Sequence, residues 1–261
     1  MKKQINFLAV LSAAAMMALA GSGSVLAQEK AGWVEEMAGE WKYYDTDGYM
    51  LTDSWKKQGN DWYYLDDDGN LAFNKQVDEY YVDETGKRVS NAWLSVENEE
   101  WGSDGPDTYW FYYGKNGKMV TEKWMSIDGN WYYFDSEGHM MTGMEEIGDG
   151  TYYFGEDGAR KYGWFYLPET DESLDREFSW FYFDKNGRML VNEVDKKIDG
   201  SYYTFADGRM QTGWVLTDGE AAKEDSVAGY QYYNEDGKRA SGWMTIVGAD
   251  GVAGEDEEFS F

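Results

Sequence analysis

The chain has 261 residues, of which 50 are acidic and 23 basic, so its formal net charge is −27. This balance excludes nucleic acid as a partner, because phosphate binding requires clustered cations. The chain contains no cysteine, which excludes disulfides. Aromatic residues make up 18% of it while aliphatic residues are sparse, so aromatic side chains must form whatever core exists.

The N-terminal segment has the features of a secretory signal peptide. Two lysines follow Met1, residues 5–20 are apolar, and the small residues that precede a cleavage site end at Ala27. The apolar run is short for a membrane span, and no similar run recurs. We therefore expect residues 1–27 to be removed on export, and residues 28–261 to be secreted with no membrane span.

The rest of the chain is a nine-fold repeat, in which a tyrosine lies five residues before a glycine in every copy. The nine glycines are Gly48, Gly69, Gly86, Gly117, Gly138, Gly158, Gly187, Gly208 and Gly237. The copies group into threes, because the residue two after the glycine is Met or Leu in the first two copies and Arg in the third. These arginines are Arg88, Arg160 and Arg239.

Each copy is predicted to form a β-hairpin. Trp131–Phe134 has strong strand propensity, Asp135–Gly138 is a turn that ends in the glycine, and His139–Thr142 is expected to be the returning strand. A single hairpin is marginal in water, whereas stacked hairpins bury aromatic faces against their neighbours. The sequence thus predicts an all-β solenoid of tandem two-stranded β-hairpin repeats.

The chain stops abruptly after the ninth copy. Residues 257–261 match residues 176–180, which open an earlier hairpin. We therefore expect residues 28–261 to form nine hairpins, with the chain cut off at the start of a tenth.

The segment from Trp124 to Gly143 resembles the cell-wall-binding repeat of choline-binding proteins. It is also similar to the glucan-binding repeats of secreted glucosyltransferases and the C-terminal repeats of large clostridial toxins. The resemblance covers residues 33–261 and implies ligands in aromatic clefts between consecutive hairpins. The implied ligand is choline on cell-wall teichoic acid, or a carbohydrate in the glucan and toxin branches, and the implied location is the cell wall.

The residues agree with a choline site. A quaternary ammonium has no N–H to donate, so electron-rich ring faces hold it best, and Trp offers the strongest face. Two tryptophans seven residues apart precede a repeat tyrosine in two copies. The candidate ligand-binding residues are Trp55, Trp62, Tyr64, Trp124, Trp131, Tyr133, Met140, Trp164, Trp214 and Trp243. The alternative is that these rings are plain core, which is favoured for the repeat tyrosines.

Two departures from the repeat pattern affect this expectation. Val194 and Ser201 stand where Trp124 and Trp131 stand in the preceding block, so that cage is predicted to be lost. The third copies carry Arg where the family usually has Met. Such an arginine would repel an ammonium or lie over the rings itself, so those hairpins are expected to be structural or to recognise a carboxylate.

No set of residues indicates catalysis, a cofactor or a metal. The one histidine, His139, lies at a position that varies among the copies, and the carboxylate pairs lie in repeat turns. Asp45–Gly48 and Asp66–Gly69 lack the downstream Glu of a calcium loop. The acidic stretches 167–177 and 219–227 are predicted to be exposed loops.

We therefore expect a non-catalytic protein that binds choline, or a similar amine, on envelope polymers. The main alternative is a glycan- or glucan-binding module, in which the same rings would stack on sugars. Two further alternatives are an adhesin that recognises a host protein or glycan, and the attachment part of a longer wall hydrolase.

Overall fold

The computed structural model describes residues 31–98, 105–218 and 229–241, and the backbone of 243–247 and 256–260. These residues form an all-β fold of ten consecutive antiparallel strand pairs, so the predicted fold class is confirmed. We number the pairs hairpin 1 to hairpin 10. Among the residues described, none forms a helix with the length and apolarity that crossing a bilayer requires. The predicted signal peptide and the 219–227 loop lie outside the described residues.

The strands are short and follow one another closely. In chain order they are β1 Gly32–Met37, β2 Glu40–Tyr44, β3 Ser54–Gln58, β4 Asp61–Leu65, β5 Lys75–Val77, β6 Tyr80–Val82, β7 Ala92–Glu97, β8 Thr108–Tyr113, β9 Lys123–Ile127, β10 Asn130–Phe134, β11 Gly143–Ile147, β12 Gly150–Phe154, β13 Gly163–Pro168, β14 Phe178–Phe183, β15 Glu193–Ile198, β16 Ser201–Ala206, β17 Arg209–Met210, β18 Gly213–Leu216, β19 Tyr230–Tyr233, β20 Trp243–Val247 and β21 Asp256–Ser260. Strand β17 joins hairpins 7 and 8 into one sheet of order β13-β14-β17-β16-β15, and the other pairs are separate two-stranded sheets.

The chain divides into two compact units. The first ends at Met141 and contains hairpins 1 to 5, and the second begins at Thr142 and contains hairpins 6 to 10. The segment that the sequence assigned to the start of a tenth repeat forms β21, which pairs with β20.

The hairpin turn is not the one expected from the repeat glycine. Strand β10 pairs with β9, which precedes it, through a two-residue turn at Asp128 and Gly129. Both have positive φ, 50° and 85°, as the turn that matches the twist of paired strands requires. The expected returning strand, His139–Thr142, is reduced to a single bridge between Phe134 and Met140. That assignment was wrong, because the chain leaves towards the preceding hairpin after one bridge.

The repeat-glycine turn is compact and held by a side chain. The Asp135 carboxylate accepts hydrogen bonds from the N–H groups of Glu137 and His139, at 2.9 and 2.8 Å. Next in the chain, Met140 donates its N–H to the carbonyl oxygen of Trp110 in hairpin 4, at 2.8 Å. Within each unit, a hairpin is thus followed by a turn that docks it on the preceding hairpin.

The core is formed mainly by the residue that follows the repeat tyrosine. In hairpin 5, Phe134 and Tyr132 are buried, whereas Trp131 on the opposite face is 43% exposed, since successive side chains of a strand point to opposite faces. The other fully buried residues at the position of Phe134 are Leu65, Val82, Tyr113, Phe154, Phe183 and Tyr233. In each unit, the side chain at this position therefore contributes to the core of its hairpin.

Glycine is required at the repeat position for two reasons: the turn has positive φ there, and a side chain of the preceding repeat packs directly on it. A Cβ on Gly138 would lie 2.9 Å from the sulfur of Met119, and one on Gly208 would lie 2.6 Å from the methyl carbon of Met189. In each case the side chain two after one repeat glycine lies on the repeat glycine of the next hairpin. The pairs Met50 on Gly69, Leu71 on Gly86, Arg88 on Gly117, Arg160 on Gly187 and Met210 on Gly237 follow the same rule.

Hairpin 8 is offset by one residue from the other copies. Phe205 bridges Met210, as Phe134 bridges Met140, although its glycine turn is one residue shorter. Tyr203 therefore occupies the position of Tyr132 rather than that of the repeat tyrosine. The tyrosine-to-glycine spacing is preserved there only because the turn is shorter.

Candidate functional site: two aromatic cages

Aromatic pairs across the strands form the base of the candidate sites. Trp93 lies opposite Tyr112 in hairpin 4, with ring centroids 5.1 Å apart at 64°. Trp164 lies opposite Tyr182 in hairpin 7, at 4.9 Å and 65°. Edge-to-face pairs of this kind are stabilising and fix both rings.

The first cage lies between hairpins 4 and 5. The rings of Trp93 and Trp110 are 6.4 Å apart and nearly perpendicular, at 79°, and Tyr132 lies 4.9 Å from Trp93. Trp93 and Tyr132 are buried and Trp110 is half-buried. The hydrogen bond from the Met140 N–H to Trp110 places this methionine beside the rings. We define the first cage as Trp93, Trp110, Tyr132 and Met140.

The second cage lies between hairpins 7 and 8. The rings of Trp164 and Trp180 are 6.4 Å apart at 82°, and Tyr203 lies 4.8 Å from Trp164. The cage encloses a cavity of about 300 Å³. The cavity is lined by Trp164, Trp180, Tyr203, Met210, Glu235 and Asp236. We define the second cage as the first four of these residues, and Glu235 and Asp236 are its acidic rim.

The two cages have the same ring geometry although they belong to different units. The Trp–Trp distance is 6.4 Å in both, and the Trp–Tyr distances are 4.9 and 4.8 Å. The agreement depends on the offset in hairpin 8, which brings Tyr203 to the position of Tyr132. Three rings at converging angles are an arrangement suited to a cation without N–H groups.

Most cage residues were missed by the sequence reasoning, which named Trp164 and Met140 among them. The predicted cages had two tryptophans seven residues apart. In hairpins 4 and 7 the strands are joined by longer loops, so the paired tryptophans lie 17 and 16 residues apart, at positions 93 and 110 and at positions 164 and 180. The signal that was available is a Trp immediately before the aromatic pair of the second strand.

The predicted cage at Trp55 and Trp62 holds a cation of the chain itself. Trp55 packs against Tyr64 across the strands and against Tyr80 of hairpin 3, at 5.2 Å in both cases. The guanidinium carbon of Arg88 lies 5.8, 5.3 and 5.1 Å from the ring centroids of Trp55, Trp62 and Tyr80. Of the two behaviours expected for such an arginine, the structure shows the one in which it lies over the rings.

Tyr64 is tied to its own hairpin. Its hydroxyl donates a hydrogen bond to the Asp53 carboxylate, and this bond raises the pKa of Tyr64 to about 12. The ring therefore has a structural partner at its polar end.

The other predicted residues whose side chains are described take part in cross-strand pairs. Trp124 lies 5.3 Å from Tyr133, and Trp131 lies opposite Ser126 on the same face of hairpin 5. Trp214 pairs with Tyr232 at 5.4 Å. The side chain of Trp243 lies outside the described residues.

The cleft between hairpins 1 and 2 is closed by packing. Trp33 lies 5.4 Å from Tyr63, and Trp41, Tyr63 and Leu71 are buried in one cluster. Leu71 stands where the two cages have methionine. Here the rings form core.

The expected loss of the cage at Val194 needs a correction of register. The residue that matches Trp131 is Tyr202 and not Ser201, because the Tyr202 carbonyl accepts the N–H of Arg239 at 2.8 Å, as the Trp110 carbonyl accepts that of Met140. The Arg239 guanidinium lies 4.4 Å from the Tyr202 ring and forms an ion pair of 2.5 Å with Asp195.

The described residues contain no group of three or more side chains suited to bind a metal ion. His139 has local partners, since its ring stacks on Tyr109 at 4.1 Å and its Nδ1 lies 3.0 Å from the Asp135 carboxylate. These contacts hold His139 against hairpin 4 and the repeat-glycine turn.

The loop at 167–177 is exposed only in part. The Glu169 side chain is 4% exposed and accepts hydrogen bonds of 2.8 to 3.0 Å from Arg209. These hydrogen bonds lower the pKa of Glu169. The prediction of an exposed loop holds for residues 170–173 and 175–177 and is wrong for Glu169, because its charge is paired.

Comparisons with known proteins agree with this architecture. The family model of the choline-binding repeat matches residues 105–143, and that of a cell wall binding repeat matches residues 53–71, 145–159 and 179–189. A search of curated proteins found no match.

Two solved structures from Streptococcus pneumoniae share the fold. The choline-binding domain of CbpL is 24% identical with a TM-score of 0.54, over 81% of this chain and 98% of that domain. The modular autolysin LytC, in complex with a synthetic peptidoglycan ligand, is 20% identical with a TM-score of 0.51, over 84% of this chain. The match spans 50% of the autolysin. The chain therefore contains choline-binding and cell-wall-binding repeats, on a fold that it shares with these two structures.

Proposed function

We propose that the chain attaches to the bacterial cell wall by binding choline in the two aromatic cages, and that it catalyses no reaction. The observation that carries this proposal is the second cage. Its cavity of about 300 Å³ combines three rings and a methionine with two carboxylates, Glu235 and Asp236. Such a lining suits a bulky cation better than a neutral sugar, because it offers ring faces and negative charge.

The chemistry of choline matches this lining. Its trimethylammonium group has no hydrogen-bond donor, so carbonyl and hydroxyl groups gain little from it, whereas ring faces attract it by about 0.5–2 kcal/mol each. The formal net charge of −27 favours any cation at the surface. It also disfavours the phosphates that accompany choline on teichoic acid, so we expect specificity to come from the rings.

Two cages on one chain suit a polymer that carries many choline groups. Each cage alone is small and is expected to bind weakly. When both engage one polymer, the second binding step becomes intramolecular, and the overall affinity rises without new contacts. This is how we propose that weak sites attach the protein to the wall, either alone or as the attachment module of a longer wall hydrolase.

The proposal is tested by titrating tryptophan fluorescence with choline chloride against matched sodium chloride. We expect a saturable change whose amplitude and stoichiometry fall in Trp180→Ala. Phe178→Ala is the matched control, because Phe178 is an exposed aromatic residue two positions away on the same strand and does not line the cavity. A flat titration of the wild-type chain would remove choline as the ligand and leave the fold untouched.

A glycan is the second candidate, and one feature favours it. Tyr166, Phe178 and Trp180 are 55%, 39% and 43% exposed, and the Tyr166 ring lies 5.3 Å from that of Phe178 and 5.2 Å from that of Trp180 on hairpin 7. Exposed rings of this kind can stack on sugars. Tyr166→Ala and Phe178→Ala separate the candidates, since they should weaken binding of wall glycan fragments and leave choline binding unchanged.

A further inference from the structure

A third cage, between hairpins 2 and 3, is built from the same parts as the other two. Trp55, Trp62 and Tyr80 occupy the positions that Trp93, Trp110 and Tyr132 occupy in the first cage. The equivalence is fixed by a backbone hydrogen bond: the N–H of Arg88 donates to the carbonyl oxygen of Trp62 at 2.8 Å, which is the bond that Met140 makes to Trp110. The difference between the two cages is therefore the side chain that follows, Arg88 in one and Met140 in the other.

The guanidinium of Arg88 lies where a ligand cation would lie. Its central carbon is 5.1 to 5.8 Å from the three ring centroids, within the range of an attractive cation–π contact for each. In the part of the chain that the structure describes, no carboxylate pairs with Arg88, and its Nε is buried without a hydrogen-bond acceptor. The rings are thus the groups that hold its charge.

The next hairpin closes over this arginine. A Cβ on Gly117 would lie 2.5 Å from the Arg88 Nε, so the glycine of hairpin 4 packs directly on the side chain. Arg88 is therefore enclosed by three rings and a backbone, as a bound ligand would be.

We infer that Arg88 is an internal ligand that occupies a third cage, and that this cage is a latent site for choline or another quaternary ammonium. For its ligand chemistry the inference rests on the proposed function. It also assigns a role to the arginine of the repeat triplet: an arginine two residues after the repeat glycine, when the preceding hairpin supplies two tryptophans, switches a site off while keeping its cage filled.

Arg239 shows that an arginine at this position does not by itself imply a latent site. It lies over a single ring, Tyr202, and its charge is paired with Asp195. Val194, rather than a tryptophan, stands on the neighbouring strand, so removing this arginine would leave no cage. Arg239→Met is therefore the matched control for Arg88→Met.

The test counts choline sites by isothermal titration calorimetry and equilibrium dialysis of the full chain. Arg88→Met, which installs the side chain present in both open cages, should bind one more choline equivalent than wild type. Arg239→Met should gain none, and Arg88→Met with Trp62→Ala should lose the gain. A folded Arg88→Met with the stoichiometry of wild type would overturn the inference. The number of choline sites in the wild type tests the proposed function. The difference in that number between Arg88→Met and wild type tests the internal ligand, so either hypothesis can fail without the other.

A second measurement does not need choline and detects the guanidinium in its cage directly. In ¹⁵N-labelled wild-type protein, the Nε–H proton of Arg88 should be shifted upfield by ring currents relative to exposed arginines, and its signal should be absent in Arg88→Lys. An Arg88 signal at the position of a solvent-exposed arginine would show that the guanidinium is outside the cage and would overturn the inference.

Discussion

The backbone N–H of Met140 donates a 2.8 Å hydrogen bond to the carbonyl oxygen of Trp110, and this bond joins two hairpins at a cage. It holds the methionine of one repeat beside a tryptophan of the preceding one. Arg88 makes the same bond to Trp62, and Arg239 makes it to Tyr202. The docking of repeats and the positioning of cage side chains therefore depend on the same hydrogen bond.

Replacing Gly138 should destabilise the fold by more than the cost of its positive φ, because Met119 packs on this glycine. Gly138→Ala places a Cβ 2.9 Å from the Met119 sulfur at φ 87°, so it should cost about 1–2 kcal/mol for the left-handed backbone and about 1–3 kcal/mol for overpacking. Gly129→Ala has φ 85° with no atom within 4 Å, and should cost the backbone part alone. Urea unfolding of both variants measures the difference. Equal losses would show that the close approach contributes nothing, and adding Met119→Ala to Gly138→Ala should recover the overpacking part.

The acidic rim of the second cage should strengthen choline binding. Replacing Glu235 by Gln and Asp236 by Asn together should weaken affinity about fivefold, since each partly exposed carboxylate contributes about 0.5 kcal/mol. The loss should shrink at high salt, because salt screens exposed charges. Glu156→Gln, at an exposed turn of hairpin 6, is the control and should have no effect. An affinity unchanged by the double replacement would assign the binding to the rings alone.

The ion pair between Glu169 and Arg209 should make stability depend on acid pH. Because hydrogen bonds lower the folded-state pKa of Glu169, its contribution is present above the unfolded-state pKa and is lost as pH falls through the folded-state value. Glu169→Gln should therefore destabilise the chain by about 2 kcal/mol at pH 7, and the difference from wild type should vanish in acid. Thermal melts of both proteins from pH 7 downwards measure this. A difference that stays constant with pH would show that the pair is not the cause.

Tyr233 should remain protonated in alkali well beyond an ordinary tyrosine. Its hydroxyl donates to Asp195 and accepts from the buried Thr204, each at 2.7 Å, and its burial raises its pKa to about 12. A raised folded-state pKa stabilises the fold below the unfolded-state value near 10, and this contribution is lost as pH rises towards 12. Ultraviolet titration of tyrosinate should lose a late-titrating group in Tyr233→Phe. The exposed Tyr230 supplies the control variant, Tyr230→Phe, which should retain that group.

The general fold was predictable from the sequence because its signals are repeated. Strand-forming aromatic runs and a glycine in every copy indicate hairpins, and the copies reinforce one another. The pairing was assigned to the wrong side of Trp131–Phe134, although the dipeptide Asp128-Gly129 is a strong hairpin signal. The repeat glycine is a competing turn signal, because both turns need positive φ, and the prediction placed the hairpin turn there.

The cages were less predictable because their residues come from different hairpins. Trp93 and Trp110 are separated by a loop that changes their spacing, and the offset of hairpin 8 places Tyr203 one position away from where counting puts it. That Arg88 lies over rings rather than in solvent depends on the packing of Gly117 above it. Such relations are set by the docking of neighbouring hairpins, which a spacing rule does not describe.

The seating of one side chain on the next glycine makes recognition between repeats strictly sequential. A hairpin needs a suitable side chain from the preceding hairpin and a glycine in its own turn. Neither requirement involves residues of more distant hairpins. Gene duplication or loss of a whole triplet therefore leaves every remaining junction chemically intact. Under this rule copy number, and with it the number of open and self-filled cages, can change in evolution without redesign of a single interface.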